Sequence, residues 1–151
     1  MIPLLAGFAL AGTPDPKPVN DVLDTLHAAA TQANEETYFS LFRPDGVFIG
    51  TDATERWTVS EFKAFAKPHF ETAPAWAYTP VAREVHFGPK GRVAWFHETV
   101  RHARYGDVRG SGVLTREGSD WRITQYVLSF PIPNAVAGDV LDLVKGNTTA
   151  E

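Results

Sequence analysis

The chain predicts an α+β fold: N-terminal helices packed in the concave face of a curved, mainly antiparallel sheet, giving a cone with one open end. Three observations carry this. Up to about residue 70, apolar residues recur at helical spacing, and from Trp76 the period changes to two. The separators in the second half are Gly88-Pro89-Lys90-Gly91, Arg104-Tyr105-Gly106-Asp107 and Glu117-Gly118-Ser119-Asp120. All are short and contain Gly, so the strands they join form hairpins. Helices followed by a meander segregate to one face of the sheet. Long strands twist, which leaves that face hollow.

Taken in order, residues 2–12 are apolar and too few to span a bilayer. They resemble the apolar part of a secretory signal, and Ala9-Leu10-Ala11 fits a small-x-small cleavage pattern. No Lys or Arg precedes Lys17, so the basic start of such a signal is missing. Export and a tail that packs on the domain both stand as readings, and the compartment stays open. Pro14, Pro16 and Pro18 read as a stiff linker. The organisation expected is therefore 1–18 as apolar segment and linker, 19–145 as one domain, and 146–151 as a tail.

Asn20 or Asp21 can cap a first helix, on which Val22, Leu23, Leu26, Ala29, Ala30 and Ala33 form a stripe. Asn34 breaks it. Glu35 to Phe42 is a second short helix, Pro44-Asp45-Gly46 a turn, and Val47-Phe48-Ile49 a strand. Gly50 to Trp57 follows as a polar loop. Thr58 or Ser60 caps a third helix whose Phe62, Phe65, Ala66 and Phe70 share one face, ended or kinked at Pro68. Four strands are expected over 76–87, 92–102, 107–116 and 121–131. A weaker helix follows over 134–145.

The 151 residues suffice for one domain with a real core. A net charge of −4 argues against a nucleic-acid partner, which needs a basic face. With no Cys, disulfides and thiolate metal sites are excluded. His27, His69, His86, His97 and His102 show no tight ligand spacing, so no metal is expected. Gly110-Ser111-Gly112 lies inside a strand pattern rather than before a helix, so no phosphate loop and no cofactor are expected. Nucleophile elbows are absent too.

Several stretches together resemble the nuclear transport factor 2-like superfamily, which includes ketosteroid isomerase and the SnoaL-type polyketide cyclases. They are the helix over 19–34, Tyr38-Phe39-Ser40-Leu41-Phe42 with Asp45-Gly46-Val47-Phe48, the Gly50–Trp57 loop, the helix over 62–70, and Asp120-Trp121-Arg122-Ile123-Thr124-Gln125-Tyr126. Gly50-Thr51-Asp52 with Glu55-Arg56-Trp57, and Arg109-Gly110-Ser111-Gly112-Val113, most resemble the SnoaL-like branch. The resemblance spans about residues 19–145. It implies a cystatin-like roll with a pocket, a habit of dimerising through the outer sheet face, and no single activity.

The Gly50–Trp57 loop packs two carboxylates, a guanidinium and an indole into eight residues. Such a loop reads as the wall of a pocket for a small hydrophobic or carbonyl-containing ligand. The resemblance places a general-base carboxylate in roughly this part of the chain, so Asp52 is the candidate proton carrier. The plainer reading is a loop carboxylate bonded to backbone N–H groups or to Arg56. Arg56 could clamp a carboxylate or pair with Glu55. Tyr38, Trp57, Phe65 and Trp95 are candidate aromatic lining. On the second meander strand, Val93, Trp95, His97 and Thr99 alternate with Ala94, Phe96, Glu98 and Val100. Glu98 is expected inside, paired with Arg109 on the next strand, as a second candidate catalytic carboxylate. Gly110 and Gly112 leave space, for a bend or for a close-approaching group. Trp121, Ile123, Gln125 and Val127 are expected on the concave face, with Gln125 donating to a ligand carbonyl. As an enzyme, the chain would use Asp52 on a carbonyl compound, with Gln125 or Arg56 holding the oxygen. The rival is a non-catalytic ligand-binding or dimeric interaction domain.

Overall fold

The computed structural model describes residues 14–148. The apolar stretch before Thr13 and its signal-like pattern lie outside the described residues. Helix α1 (Lys17–Thr31) starts earlier than its polar residues suggest: Pro16 occupies the N-cap and Pro18 sits in the first turn. Proline is tolerated there because the first N–H groups have no intrahelical partner. Neither Asn20 nor Asp21 caps it. Its buried face is Val19, Leu23, Leu26, His27, Ala29 and Ala30, while Val22 and Ala33 are only partly buried. Asn34 ends the stripe as expected, and its side chain caps α2 (Glu35–Ser40) through the Thr37 N–H.

Strand β1 (Phe42–Ile49) begins where a helix end was expected and contains the Pro44-Asp45-Gly46 turn as an irregularity in its register. Asp52 lies in a hairpin loop, not at a strand-to-helix junction: β2 (Arg56–Thr58) pairs back on β1, with Ile49 opposite Arg56. Thr58 then closes a capping box with Glu61 at the start of α3 (Val59–Ala66). Lys67-Pro68 turns the chain into a single 3-10 turn.

The meander forms as read: β3 (Thr79–Phe87), β4 (Val93–His102), β5 (Gly106–Glu117) and β6 (Asp120–Ser129) pair antiparallel in sequence order. Trp76 to Tyr78 precede β3 as irregular chain. The sheet order is β2-β1-β6-β5-β4-β3, with β1 parallel to β6. Helices α1 to α3 cover one face. The last helix, α4 (Ala137–Thr148), runs through Gly146, where a tail was expected, and exposes Leu141 and Leu143.

The core is an aromatic stack. Phe62 lies flat on Phe48 with ring centroids 4.0 Å apart, and Phe48 lies flat on Tyr126 at 5.7 Å. In β4 Val93, Trp95 and His97 are exposed and Ala94, Phe96, Glu98 and Val100 are buried. Glu98 therefore points inward, as expected.

A break in β6 decides the pocket. Leu114 pairs with Ile123 but Val113 pairs with Gln125, so Thr124 is an extra residue. A bulge of one residue reverses the side-chain alternation beyond it. Trp121 and Ile123 are buried before the bulge; Tyr126 is buried after it. Gln125 and Val127 thus leave the concave face, which corrects the uninterrupted period-two reading. Gly112 admits the bulge: a Cβ there would lie 2.1 Å from the Gln125 carbonyl oxygen.

Candidate functional site

The open end of the roll holds a cavity of about 220 Å³. Helix α1 supplies Leu26, His27 and Ala30, and α2 supplies Tyr38. The β1–β2 hairpin supplies Phe48, Glu55 and Trp57, and α3 supplies Phe62 and Phe65. Tyr126, Leu128 and Phe130 come from the far side of the β6 bulge. The chain's four tyrosines, Tyr38, Tyr78, Tyr105 and Tyr126, all line it. Trp57 stacks on Phe65 at 4.8 Å and on Phe62 at 5.5 Å, a flat-sided wall suited to another flat ring.

Behind this wall lies a buried polar node. Glu98 Oε1 is 2.9 Å from His27 Nε2 and accepts a 2.8 Å bond from the Tyr126 hydroxyl. Its Oε2 accepts from Arg83 Nε at 2.8 Å. Arg83 sits directly opposite Glu98 in the β3–β4 register and reaches on to Asp24 and Asn20 of α1. Burial by itself would raise the Glu98 carboxyl. The hydrogen bond from His27, then the charge of Arg83 and the hydrogen bond from Tyr126, overcome it and hold the group below the usual carboxylate range. Burial, then the Glu98 charge, pushes the Tyr126 hydroxyl well up, so it remains a donor.

An ionised carboxylate only accepts, so the proton of the His27–Glu98 bond sits on Nε2. The other ring nitrogen, Nδ1, has no hydrogen-bond partner among the described residues, and neither does the Tyr38 hydroxyl. Burial raises the Tyr38 hydroxyl, keeping it a neutral donor. The cavity wall therefore holds one imidazole nitrogen and one phenol hydroxyl without a hydrogen-bond partner among the described residues.

Gly110 makes the node possible. A Cβ there would lie 2.4 Å from the Tyr126 hydroxyl and 2.9 Å from Glu98 Oε1. The close-approaching group expected at the paired glycines is thus a side-chain node at Gly110 and a backbone bulge at Gly112.

Of the residues singled out from sequence, Tyr38, Glu55, Trp57 and Phe65 meet in the cavity wall, and Glu98 lies just behind it. The others do not join them. Asp52 is exposed and accepts from the Thr54 hydroxyl at 2.6 Å and the Thr54 N–H at 2.9 Å. Those bonds hold its carboxyl below the ordinary range, the opposite of what a proton carrier in an apolar pocket needs. Arg56 is exposed on β2, outside the cavity. Trp95 and Arg109 alternate with buried residues and lie on the outer sheet face, so Glu98 pairs with Arg83 and not with Arg109.

Sequence reasoning missed His27, Arg83 and Tyr126. The first two left a signal. His27 is a polar residue on the apolar stripe of α1, next to Leu26 and four residues after Leu23. Arg83 falls on the same period-two face as Val81, Val85 and Phe87 in a strand pattern. Tyr126 was hidden by the bulge.

The profile of the SnoaL-like domain matches residues 19–133. Among solved structures, a nuclear transport factor 2-like protein of unknown function from Pseudomonas putida superposes with a TM-score of 0.68 at 15% identity, covering 82% of this chain and 92% of that one. A cystatin-like-fold protein of unknown function from Nostoc punctiforme gives 0.64 at 13% identity, with 78% and 91% covered. A protein provisionally described as a scytalone dehydratase, from Novosphingobium aromaticivorans, gives 0.62 at 10% identity, with 77% and 83% covered. Identities this low show the fold alone. No protein of curated function matches.

Proposed function

We propose that this chain, which belongs to the SnoaL-like domain family, binds a small flat molecule carrying a carbonyl or phenolic oxygen and moves a proton on it. The observation that carries this reading is His27, in the wall of an aromatic cavity, held by Glu98 behind it. Glu98 fixes the ring and its tautomer; His27 Nδ1 takes a proton from carbon alpha to the carbonyl. Tyr38 donates to the oxygen on which charge develops. A cavity of about 220 Å³ has room for a one- or two-ring compound. His27 thus takes the role first given to Asp52, and Tyr38 that given to Gln125.

The test needs no known substrate. Small aryl ketones and phenols are screened for binding by ligand-observed NMR. Bound ketones are then followed for exchange of alpha protons in D2O. The expected result is exchange that falls by about 100-fold or more in His27→Gln and is unchanged in Asp52→Asn. Exchange that survives His27→Gln contradicts the assignment of the proton carrier.

A second reading, binding or dimerisation without chemistry, is favoured by the outer sheet face. There Val93 and Trp95 are 41% and 46% exposed, the kind of surface a second copy could cover. Ketones that bind without any alpha exchange, together with a dimer in light scattering that Trp95→Glu dissociates, would favour this reading.

A further inference from the structure

We infer that the outer face of the sheet carries a divalent transition-metal site built by Glu84, His86 and His97. It lies on the opposite face from Glu98 and does not rest on the reading of the cavity. The three residues are placed by register alone. Glu84 and His97 are directly opposite across β3 and β4, and His86 follows Glu84 by two on the same face. Their ligand atoms all lie within 4.8 Å of one another. Glu84 Oε2 is 3.7 Å from His86 Nε2, and Glu84 Oε1 is 3.8 Å from His97 Nε2.

Zinc bound to imidazole nitrogen and carboxylate oxygen at about 2.1 Å in a tetrahedron needs donors about 3.4 Å apart. Closing from the observed separations needs only small rotations of exposed side chains on a rigid ladder. The His86 ring is already oriented. It stacks against Trp95 at 5.7 Å and against His97 at 6.3 Å. A fixed ring plane favours ligation because less freedom is lost on binding. Two imidazoles and one carboxylate suit zinc and its first-row neighbours better than magnesium or calcium, which prefer all-oxygen shells. Three protein ligands leave a position open to water, so the site is of the open kind. The histidines that read singly as solvated side chains are therefore paired by the fold around a carboxylate.

The full chain is titrated with zinc chloride by calorimetry, and the histidine ring signals are followed by NMR. The expected result is one ion per chain, bound tighter than about 100 µM, with the His86 and His97 signals moving together. His86→Ala, His97→Ala and Glu84→Gln each weaken binding about tenfold or more, whereas His69→Ala and His102→Ala leave it unchanged. These positions are exposed, and the NMR shifts in the unsubstituted chain test the site without any variant. No saturable binding below about 1 mM, affinity unchanged in His97→Ala, or zinc-induced shifts centred on other histidines overturns the inference.

Discussion

Two charged regions of this molecule stand in contrast. The Gly50–Arg56 stretch concentrates its charge within a few residues, and solvent takes most of it. Asp52 and Arg56 are exposed, and Asp52 serves the loop's own backbone. The node around Glu98 draws on residues far apart in the chain, His27 being 71 positions away, and is sealed in the core. Charge crowded in sequence is easily satisfied locally. Charge gathered from separate elements and buried must be satisfied by geometry, and that geometry is what a catalytic group needs.

The largest effect should come from removing the node's centre. Glu98→Ala leaves Arg83 buried without its main partner and should destabilise the fold by about 3–5 kcal/mol. The matching change in the loop, Asp52→Ala, should leave the urea midpoint at the wild-type value. A comparable loss in both would erase the contrast.

The glycines sharpen it further. Gly112→Ala drives a Cβ to 2.1 Å of the Gln125 carbonyl oxygen, a backbone atom that cannot step aside. The expected loss is about 1–3 kcal/mol. Gly50→Ala meets Glu55 Oε2 at the same 2.1 Å and Glu55 Cβ at 3.0 Å; the carboxylate end can swing away and the Cβ needs to give only slightly. Its loss should be the smaller of the two by urea denaturation.

Acid should separate the regions more gently. The Glu98 carboxyl is lowered from 4.5 in the folded state. Its contribution is therefore fully present above about pH 4.5 and is lost as pH falls through the lowered folded value. Glu98→Gln should flatten that acid limb in a series of urea midpoints against pH. Asp52 is lowered as well, but its exposed bonds to Thr54 should leave the limb nearly unchanged in Asp52→Asn.

The fold was legible because its signals are local. The capping box at Thr58 and Glu61, the Gly-containing hairpins and the period-two strands each follow from neighbours in sequence. The inward Glu98 was legible for the same reason: β4 alternates without interruption. Gln125 was misread because one extra residue at Thr124 reverses everything after it, and the cause, Gly112, sits on another strand. Arg83 could not be chosen over Arg109 as the partner of Glu98, since both occupy neighbouring strands and only the register distinguishes them. The composition of the loop says where charge is dense and not where it is buried.

In the proposed reaction Glu98 holds the proton of His27 on Nε2 and leaves Nδ1 as the exchanging nitrogen. A long-range proton–nitrogen NMR spectrum of the imidazole rings reads this directly. Whenever the His27 ring carries a single proton, that proton should be on Nε2, and Glu98→Gln should disturb the tautomer while Asp52→Asn should not. A His27 ring protonated on Nδ1 in the intact chain would contradict it.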